Sequence, residues 1–199
     1  KFYPRSFNMG VRREVYQALG GFSNMRFGED IDFSIRIFQA GLRCRLFPEA
    51  WVWHKRRTDF HKFWKQVFNS GIARINLYKK YPESLKLVHL LPMVFTVGMM
   101  ILFSLCIAGI ITMLTTTEEK WQSLGHIMTL CACLPIILYC LLLFADSTKV
   151  NKSIKVGLLS IVAAYVQLTG YGCGFISSWW KRCVKGQDEF SAYKKTFYK

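Results

Sequence analysis

Three acidic residues lie within four positions of the chain: Glu29, Asp30 and Asp32. The apolar spacing that follows them predicts a helix over residues 29–40, so the three carboxylates belong to its first turn. Amides at a helix N-terminus stabilise ionised carboxylates, and an ionised carboxylate at the mouth of a pocket can take a proton from a hydroxyl. Taken alone, the pattern is explained more simply by helix capping, with Asp32 paired to Arg36 four residues later.

The positions of glycine and proline predict where the helices and the strand around these carboxylates begin and end. A short helix is predicted over residues 12–19, before a Gly-Gly pair, and a strand over residues 43–54. A helix over residues 59–80 carries an aromatic stripe with most of its basic residues outside it. Its neighbouring apolar run favours a helix lying in the membrane surface, although a domain-surface helix packed on its own sheet has the same pattern.

The composition divides the chain into polar and apolar parts. Of 199 residues, 52% are apolar, and the formal net charge is +15. Residues 1–86 carry +10 of this charge, residues 87–180 carry +1 and residues 181–199 carry +4. Intrinsic disorder is excluded by the aromatic and aliphatic content.

Three runs in the middle contain no Asp, Glu, Lys or Arg: 87–117, 121–145 and 156–180. Each reaches the ~20 residues that a helix needs to cross a bilayer, so we predict three transmembrane helices in an integral membrane protein. The basic first third is then expected on the cytoplasmic side. Three crossings put the basic tail on the opposite side, against the positive-inside rule. Either the rule fails here, or the third run is re-entrant or lies partly in the interface.

A further set of short motifs follows a fixed order in the polar third. These are Arg12-Arg13-Glu14-Val15, Gly20-Gly21-Phe22, Gly28-Glu29-Asp30-Ile31-Asp32-Phe33-Ser34-Ile35-Arg36, Gly41 and Ala50-Trp51-Val52-Trp53-His54. With the basic aromatic helix that leads into the apolar runs, they resemble the C-terminal part of the catalytic domain of family-two (nucleotide-diphospho-sugar) glycosyltransferases, over about residues 3–80.

The resemblance implies roles for individual residues. It implies that Asp30 is the general base that deprotonates the acceptor hydroxyl, and that Glu29 helps to place the acceptor. It implies that His54 joins the ligands of a divalent metal, Mg²⁺ or Mn²⁺, bound to the donor diphosphate; a His that only hydrogen-bonds a loop is the alternative.

The arginines that follow have two interpretations. Arg56 and Arg57 suffice as positive charge flanking a membrane segment, whereas the resemblance implies contact with a diphosphate of the donor or of a lipid-linked acceptor. Arg74 lies where some membrane-embedded members have a Gln/Arg/Trp motif. This sequence departs from that motif, which argues against processive polymer synthesis.

The implied fold class is α/β, the back half of a nucleotide-sugar transferase Rossmann-like domain, followed by an all-α transmembrane region of about three helices. The predicted domains are 1–57 for the catalytic part, 58–86 for the interfacial helix, 87–180 for the membrane region and 181–199 for a basic tail. The donor-binding half of the family is expected before residue 1, with most of the metal ligands, so the chain is expected to be a fragment that is inactive alone.

The predicted function is transfer of a sugar from a nucleotide-sugar to a glycan or polyprenyl-phosphate-linked acceptor, by a membrane-bound hexosyltransferase-like enzyme with its catalytic part in the cytoplasm. Membrane lipid is the other expected partner. The alternative is a non-catalytic membrane protein whose basic segment docks on anionic lipid or on a partner. Nucleic-acid binding is not expected, because membrane topology already explains basic residues beside apolar runs.

Overall fold

A computed structural model describes residues 3–4, 8–53 and 58–193 of the chain. Helices make up the regular structure of these residues. The α-helices are α1 (Arg13–Ala18), α2 (Glu29–Gln39), α3 (Phe60–Lys80), α4 (Leu91–Thr115), α5 (Glu119–Asn151), α6 (Ile154–Trp179) and α7 (Glu189–Tyr193). Short 3₁₀ turns at Pro82–Ser84 and Leu87–His89 precede α4, and a π-helical turn at Trp180–Val184 follows α6.

The predicted α/β fold is wrong. The described residues contain no β-strand, and the expected strand at residues 43–54 has no regular structure over 43–53. Its large apolar side chains are exposed, 65% for Trp51 and 91% for Trp53. A strand requires a neighbour to take its backbone hydrogen bonds, and no other segment in the described ranges pairs with this one.

The helices of the polar third begin and end where local signals predict. The Asp59 side chain caps α3 by accepting a hydrogen bond from the backbone N–H of Lys62 (2.7 Å). The helix ends at Lys80, two residues before Pro82, which cannot continue it. Local capping chemistry and proline therefore set both ends of the helix that packs on α2.

The chain divides into two compact units, Lys1–His89 with Gly174–Lys199, and Leu90–Cys173. In the first unit, α2 packs on the C-terminal half of α3 through Ile31, Ile35, Leu77 and Tyr81. A second cluster joins Ile72 of α3 to Ala192 and Tyr193 of α7. These two clusters form the core on which the first turn of α2 rests.

The second unit contains α4, α5 and most of α6. The α4 and α5 helices are antiparallel neighbours: Cys106 Sγ lies 3.7 Å from Cys133 Sγ, and Gly109 lies against Gly125. The predicted three apolar helices are present, each long and apolar enough to cross a membrane. The outward side chains of α4 and α5 are largely exposed leucine and isoleucine, the surface that a lipid-facing helix presents.

Candidate functional site

Glu29 and Asp30 form the first turn of α2 and are half-buried. The Oδ1 atom of Asp30 accepts a hydrogen bond from the backbone N–H of Ile31 (2.8 Å). The amides of a helix N-terminus stabilise negative charge at this position. Both carboxylates thus occupy the first turn of α2.

Gly28 sets the entry into this turn. Its φ is +88°, in the left-handed region that glycine adopts without steric cost. A Cβ atom there would lie 3.3 Å from Cδ1 of Leu77 and 3.4 Å from Cβ of Ala73. The loop that leads to Glu29 and Asp30 therefore passes close against α3, and α3 helps to determine where the first turn of α2 lies.

Asp32 lies in the same turn, two residues after Asp30, and is fully buried. Its Oδ2 accepts from Nε of Arg36 (3.0 Å), and its Oδ1 accepts from Nζ of Lys80 (2.5 Å) and from the hydroxyl of Tyr81 (2.9 Å). Burial by itself raises the pKa of Asp32, but the hydrogen bonds from Lys80 and Tyr81 and the Lys80 charge outweigh it and hold the pKa below its ordinary value. Asp32 is therefore an ionised structural link between α2 and the end of α3.

The predicted pairing of Asp32 with Arg36 is confirmed. Arg36 also donates to the carbonyl oxygens of Leu19 (2.6 Å) and Gly21 (2.7 Å). The Arg36 guanidinium therefore links the Gly-Gly turn to α2 through hydrogen bonds. The lysine and tyrosine of this network were missed by sequence reasoning, because no local spacing relates positions 80 and 81 to position 32.

The loop before Gly28 also rests on the C-terminal segment. The backbone N–H of Arg26 donates to Oε1 of Glu189 in α7 (2.8 Å), and the ring of Phe27 packs edge-on against Tyr193 at 6.3 Å. Burial raises the pKa of Glu189, against the effects of the Arg26 hydrogen bond and the nearby Arg182 and Lys80 charges. Sequence reasoning assigned the tail no role at the site.

Arg74, predicted to bind substrate, lies half-buried on α3. Its Nε atom is buried and has no hydrogen-bond partner among the described residues. Its charge, with that of Lys86, adds to burial in lowering the pKa of His89 to about 4. Arg74 therefore lies near His89, and its buried Nε donor is unused.

The remaining predicted site residues, His54, Arg56 and Arg57, lie outside the described residues. Within the described ranges, no group of three His, Cys, Asp or Glu side chains is placed to hold a metal ion. Glu29 and Asp30 by themselves do not fit such a centre, so no chemical step is assigned to a metal here.

A cavity lies elsewhere in the same unit. It has a volume of ≈ 210 Å³ and is lined by Tyr3, Ile35, Phe38, Gln39, Glu83 and Ser84. These α2 residues come from the C-terminal half of the helix, whereas Glu29 and Asp30 begin it. This cavity is therefore separate from the two predicted catalytic carboxylates.

Two comparisons with known proteins give matches. The chain is 31% identical over 71 residues to a protein of Bacillus subtilis (strain 168) named "Probable glycosyltransferase YdaM". The aligned region is 36% of this chain and 16% of that relative, so the chain spans only a small part of its length. No solved structure matches the chain significantly.

The family model described as "Glycosyl transferase family group 2" matches residues 7–145. The match includes the carboxylates of α2, all of α3 and α4, and most of α5. Because it covers more than half of the chain, the chain belongs to the group 2 family of glycosyl transferases.

Proposed function

We propose that this chain belongs to a membrane-bound enzyme that transfers a sugar from a nucleotide-sugar to a hydroxyl group of a glycan or lipid-linked acceptor, with Asp30 as the general base. The observation that carries the proposal is the position of Asp30. It lies in the first turn of α2, in a chain whose family transfers sugars, and it follows a glycine that packs on α3.

The reaction is a single displacement at the anomeric carbon. The acceptor oxygen forms a bond to that carbon while the bond to the diphosphate breaks and the diphosphate leaves with the electron pair. The acceptor proton passes to the carboxylate of Asp30, and the configuration at the carbon inverts. General base catalysis of this kind contributes about 10²–10⁴-fold to the rate. Glu29 accepts a hydrogen bond from the acceptor and orients it.

Arg74 is proposed to bind phosphate, of the donor or of a lipid-linked acceptor. Its unused buried Nε supports this role, because buried guanidinium donors are normally satisfied. A guanidinium can bind phosphate oxygens through two parallel hydrogen bonds. Arg56, Arg57 and the metal role of His54 stay predictions from the sequence.

The catalytic part is proposed to face the cytoplasm. The polar segment before α4 carries most of the excess positive charge, and positive segments flanking membrane helices are retained on that side.

The test of the base is Asp30→Asn in the full protein, because asparagine keeps the shape of the side chain and removes its basicity. We expect kcat for sugar transfer to fall by about 10²-fold or more. Glu14→Gln is the matched control, since Glu14 is an exposed acid in the first turn of α1, and it should leave kcat unchanged. Unchanged transfer by Asp30→Asn at normal expression would reject Asp30 as the base.

A further inference from the structure

We propose that α6 does not cross the membrane but lies along its surface, at the end of the bundle where α4 begins. The acyl chains of that leaflet are the partner of its exposed apolar face. The C-terminal segment after α6 then returns to the side of the polar segment that precedes α4. This inference concerns topology and does not depend on the proposed function.

The contacts between α4 and α5 show which residues of the two helices lie at the same depth in the membrane. Near the start of α4, the ring of Phe95 lies 5.5 Å from that of Tyr139. Near its end, Met113 Sδ lies 3.8 Å from the hydroxyl of Thr129. The 18 residues between Phe95 and Met113 span ~27 Å of helix, close to the thickness of the hydrocarbon core. The start of α4 and the end of α5 therefore belong to one membrane face.

The beginning of α6 lies at that face. Gly157 packs against Phe144 and the hydroxyl of Thr148, in the last two turns of α5. These residues come after Tyr139 along α5, and so they lie beyond the level of Phe95. The polar end of α5, with Asp146 and Lys149, is at the same face.

The later part of α6 lies at the same face too. The ring of Tyr165 lies 5.7 Å from Phe95, and the hydroxyl of Thr96 lies 3.3 Å from the carbonyl oxygen of Leu168. Gly172 packs against Thr96 and the carbonyl oxygen of Pro92. In the described part of the chain, the ring contact, hydrogen bond and close approach that join α6 to α4 all involve α4 residues 92–96.

These contacts are incompatible with a full crossing. From Gly157 to Gly172 the helix advances by ~22 Å. A helix descending beside α4 would carry Gly172 nearly halfway from the level of Phe95 to that of Met113. Instead Gly172 meets the first turns of α4, so the axis of α6 runs across the hairpin near one membrane face.

The surface of α6 fits this placement. Its 18-residue apolar stretch has a mean hydropathy of 1.4, against 2.5 in α4 and 2.6 in α5. The Leu158, Leu159 and Val162 side chains are exposed on it, which continues the apolar surface of α4 and α5. Exposed Trp179 ends α6, and exposed Trp180 follows it just before a Lys-Arg pair. This combination anchors helices at the level of lipid headgroups.

The C-terminal segment supplies an independent observation. Within the first unit, Glu189 accepts the backbone N–H of Arg26, and Tyr193 packs with Phe27 and Ile72. These partners precede α4 in the chain. A segment on the far side of a bilayer could not touch them, because ~30 Å of hydrocarbon would intervene. A non-crossing α6 also removes the conflict with the positive-inside rule, since both basic ends of the chain then share one side.

Cysteine accessibility tests the proposal directly. In a variant whose seven native cysteines are replaced by alanine, single cysteines are introduced as Glu83→Cys, Thr117→Cys and Gln187→Cys, all at exposed positions. Sealed vesicles of either orientation are treated with a membrane-impermeant maleimide. We expect Gln187→Cys to react from the same side as Glu83→Cys, and Thr117→Cys from the other side. Reaction of Gln187→Cys from the side of Thr117→Cys would overturn the proposal.

Depth measurement provides a second test that keeps all native contacts of the tail. Nitroxide labels late in α6, at the exposed Gln167→Cys and at the native Cys173 in a variant that lacks the other six cysteines, should lie at shallow depth by their accessibility to oxygen and to a polar relaxation agent. A label at Leu134→Cys, on the exposed face of α5 midway between Thr129 and Tyr139, is the deep reference. If the label at Cys173 lies as deep as the label at Leu134→Cys, α6 descends into the bilayer and the proposal fails.

Discussion

Asp30 and Asp32 are two positions apart in one helix, yet their surroundings differ. Asp32 is fully buried, and its two oxygens are occupied by Arg36, Lys80 and Tyr81. A carboxylate held in this way has no access to an acceptor and little capacity for another proton. Asp30, in the same first turn, is only half-buried. Burial and hydrogen bonding therefore separate a structural acid from the proposed base.

Removing the charge of Asp32 should destabilise the first unit. Asp32→Asn leaves Arg36 and Lys80 without their anion, and the expected loss is about 2–3 kcal/mol of unfolding free energy, less than for fully buried pairs because Lys80 is partly exposed. Thermal unfolding at pH 7 measures it. Glu49→Gln, at an exposed acid, is the control and should change stability by less than ~0.5 kcal/mol. Equal stability of Asp32→Asn and wild type would contradict the network.

The same residue predicts a dependence on pH. Because the pKa of Asp32 is lower in the folded protein than the ~3.9 of an unfolded Asp, its ionised form stabilises the fold above about pH 4. This stabilisation is lost as the pH falls through the folded pKa. The wild type should therefore lose more stability than Asp32→Asn between pH 5 and pH 2. A parallel loss in both proteins would exclude this contribution.

Local spacing in the sequence predicted only part of the hydrogen-bond network around Asp32. The Asp32–Arg36 pair follows from a separation of four residues on a helix. Lys80 and Tyr81 lie 48 and 49 residues from Asp32, and only the packing of α2 on α3 brings them there. The unused donor of Arg74 is likewise visible only once its surroundings are folded.

The close approach of Gly28 to α3 is one of the contacts that position the first turn of α2. Gly28 lies in the left-handed region and within contact distance of two α3 side chains. Gly28→Ala should cost about 1–2 kcal/mol of stability, because an alanine is strained at this φ. It should also lower sugar transfer, since the loop must move away from α3 and take Glu29 and Asp30 with it. Unfolding and kcat are the measurements.

Gly10→Ala is the matched control for that variant. A Cβ at Gly10 would meet nothing within 4 Å, and its φ lies outside the positive range. Both stability and transfer should stay near the wild-type values. If Gly28→Ala and Gly10→Ala behave alike in both measurements, the approach of this loop to α3 has no role at the site.

The elements also show which sequence signals are reliable. The Asp59 cap and the proline at position 82 mark the two ends of α3, because capping and the effect of proline act within a few residues. The prediction of a strand at 43–54 was wrong. Aromatic and aliphatic residues favour a strand, but they do not supply the neighbouring strand that it must pair with. Length and composition identified α6 as an apolar helix, but they carry no information about the direction of its axis.

At the scale of the whole molecule, charge distribution was the most informative signal. Two basic ends around a nearly neutral apolar middle predicted a membrane protein, and three helices of sufficient length and apolarity are present. The contact of Glu189 with Arg26 could not be predicted in this way, because it joins residues 163 positions apart. It places the C-terminal segment against the loop that leads to the proposed catalytic turn.

The most direct measurement of the central claim is sugar transfer by Asp30→Ala in membranes, with and without added formate. We expect loss of transfer and partial recovery with formate, because a small carboxylate can enter the space left by the side chain and accept the proton of the acceptor. Asp32→Ala, a variant of the structural acid, should show no such recovery. Transfer by Asp30→Ala at the wild-type rate without formate would contradict the account.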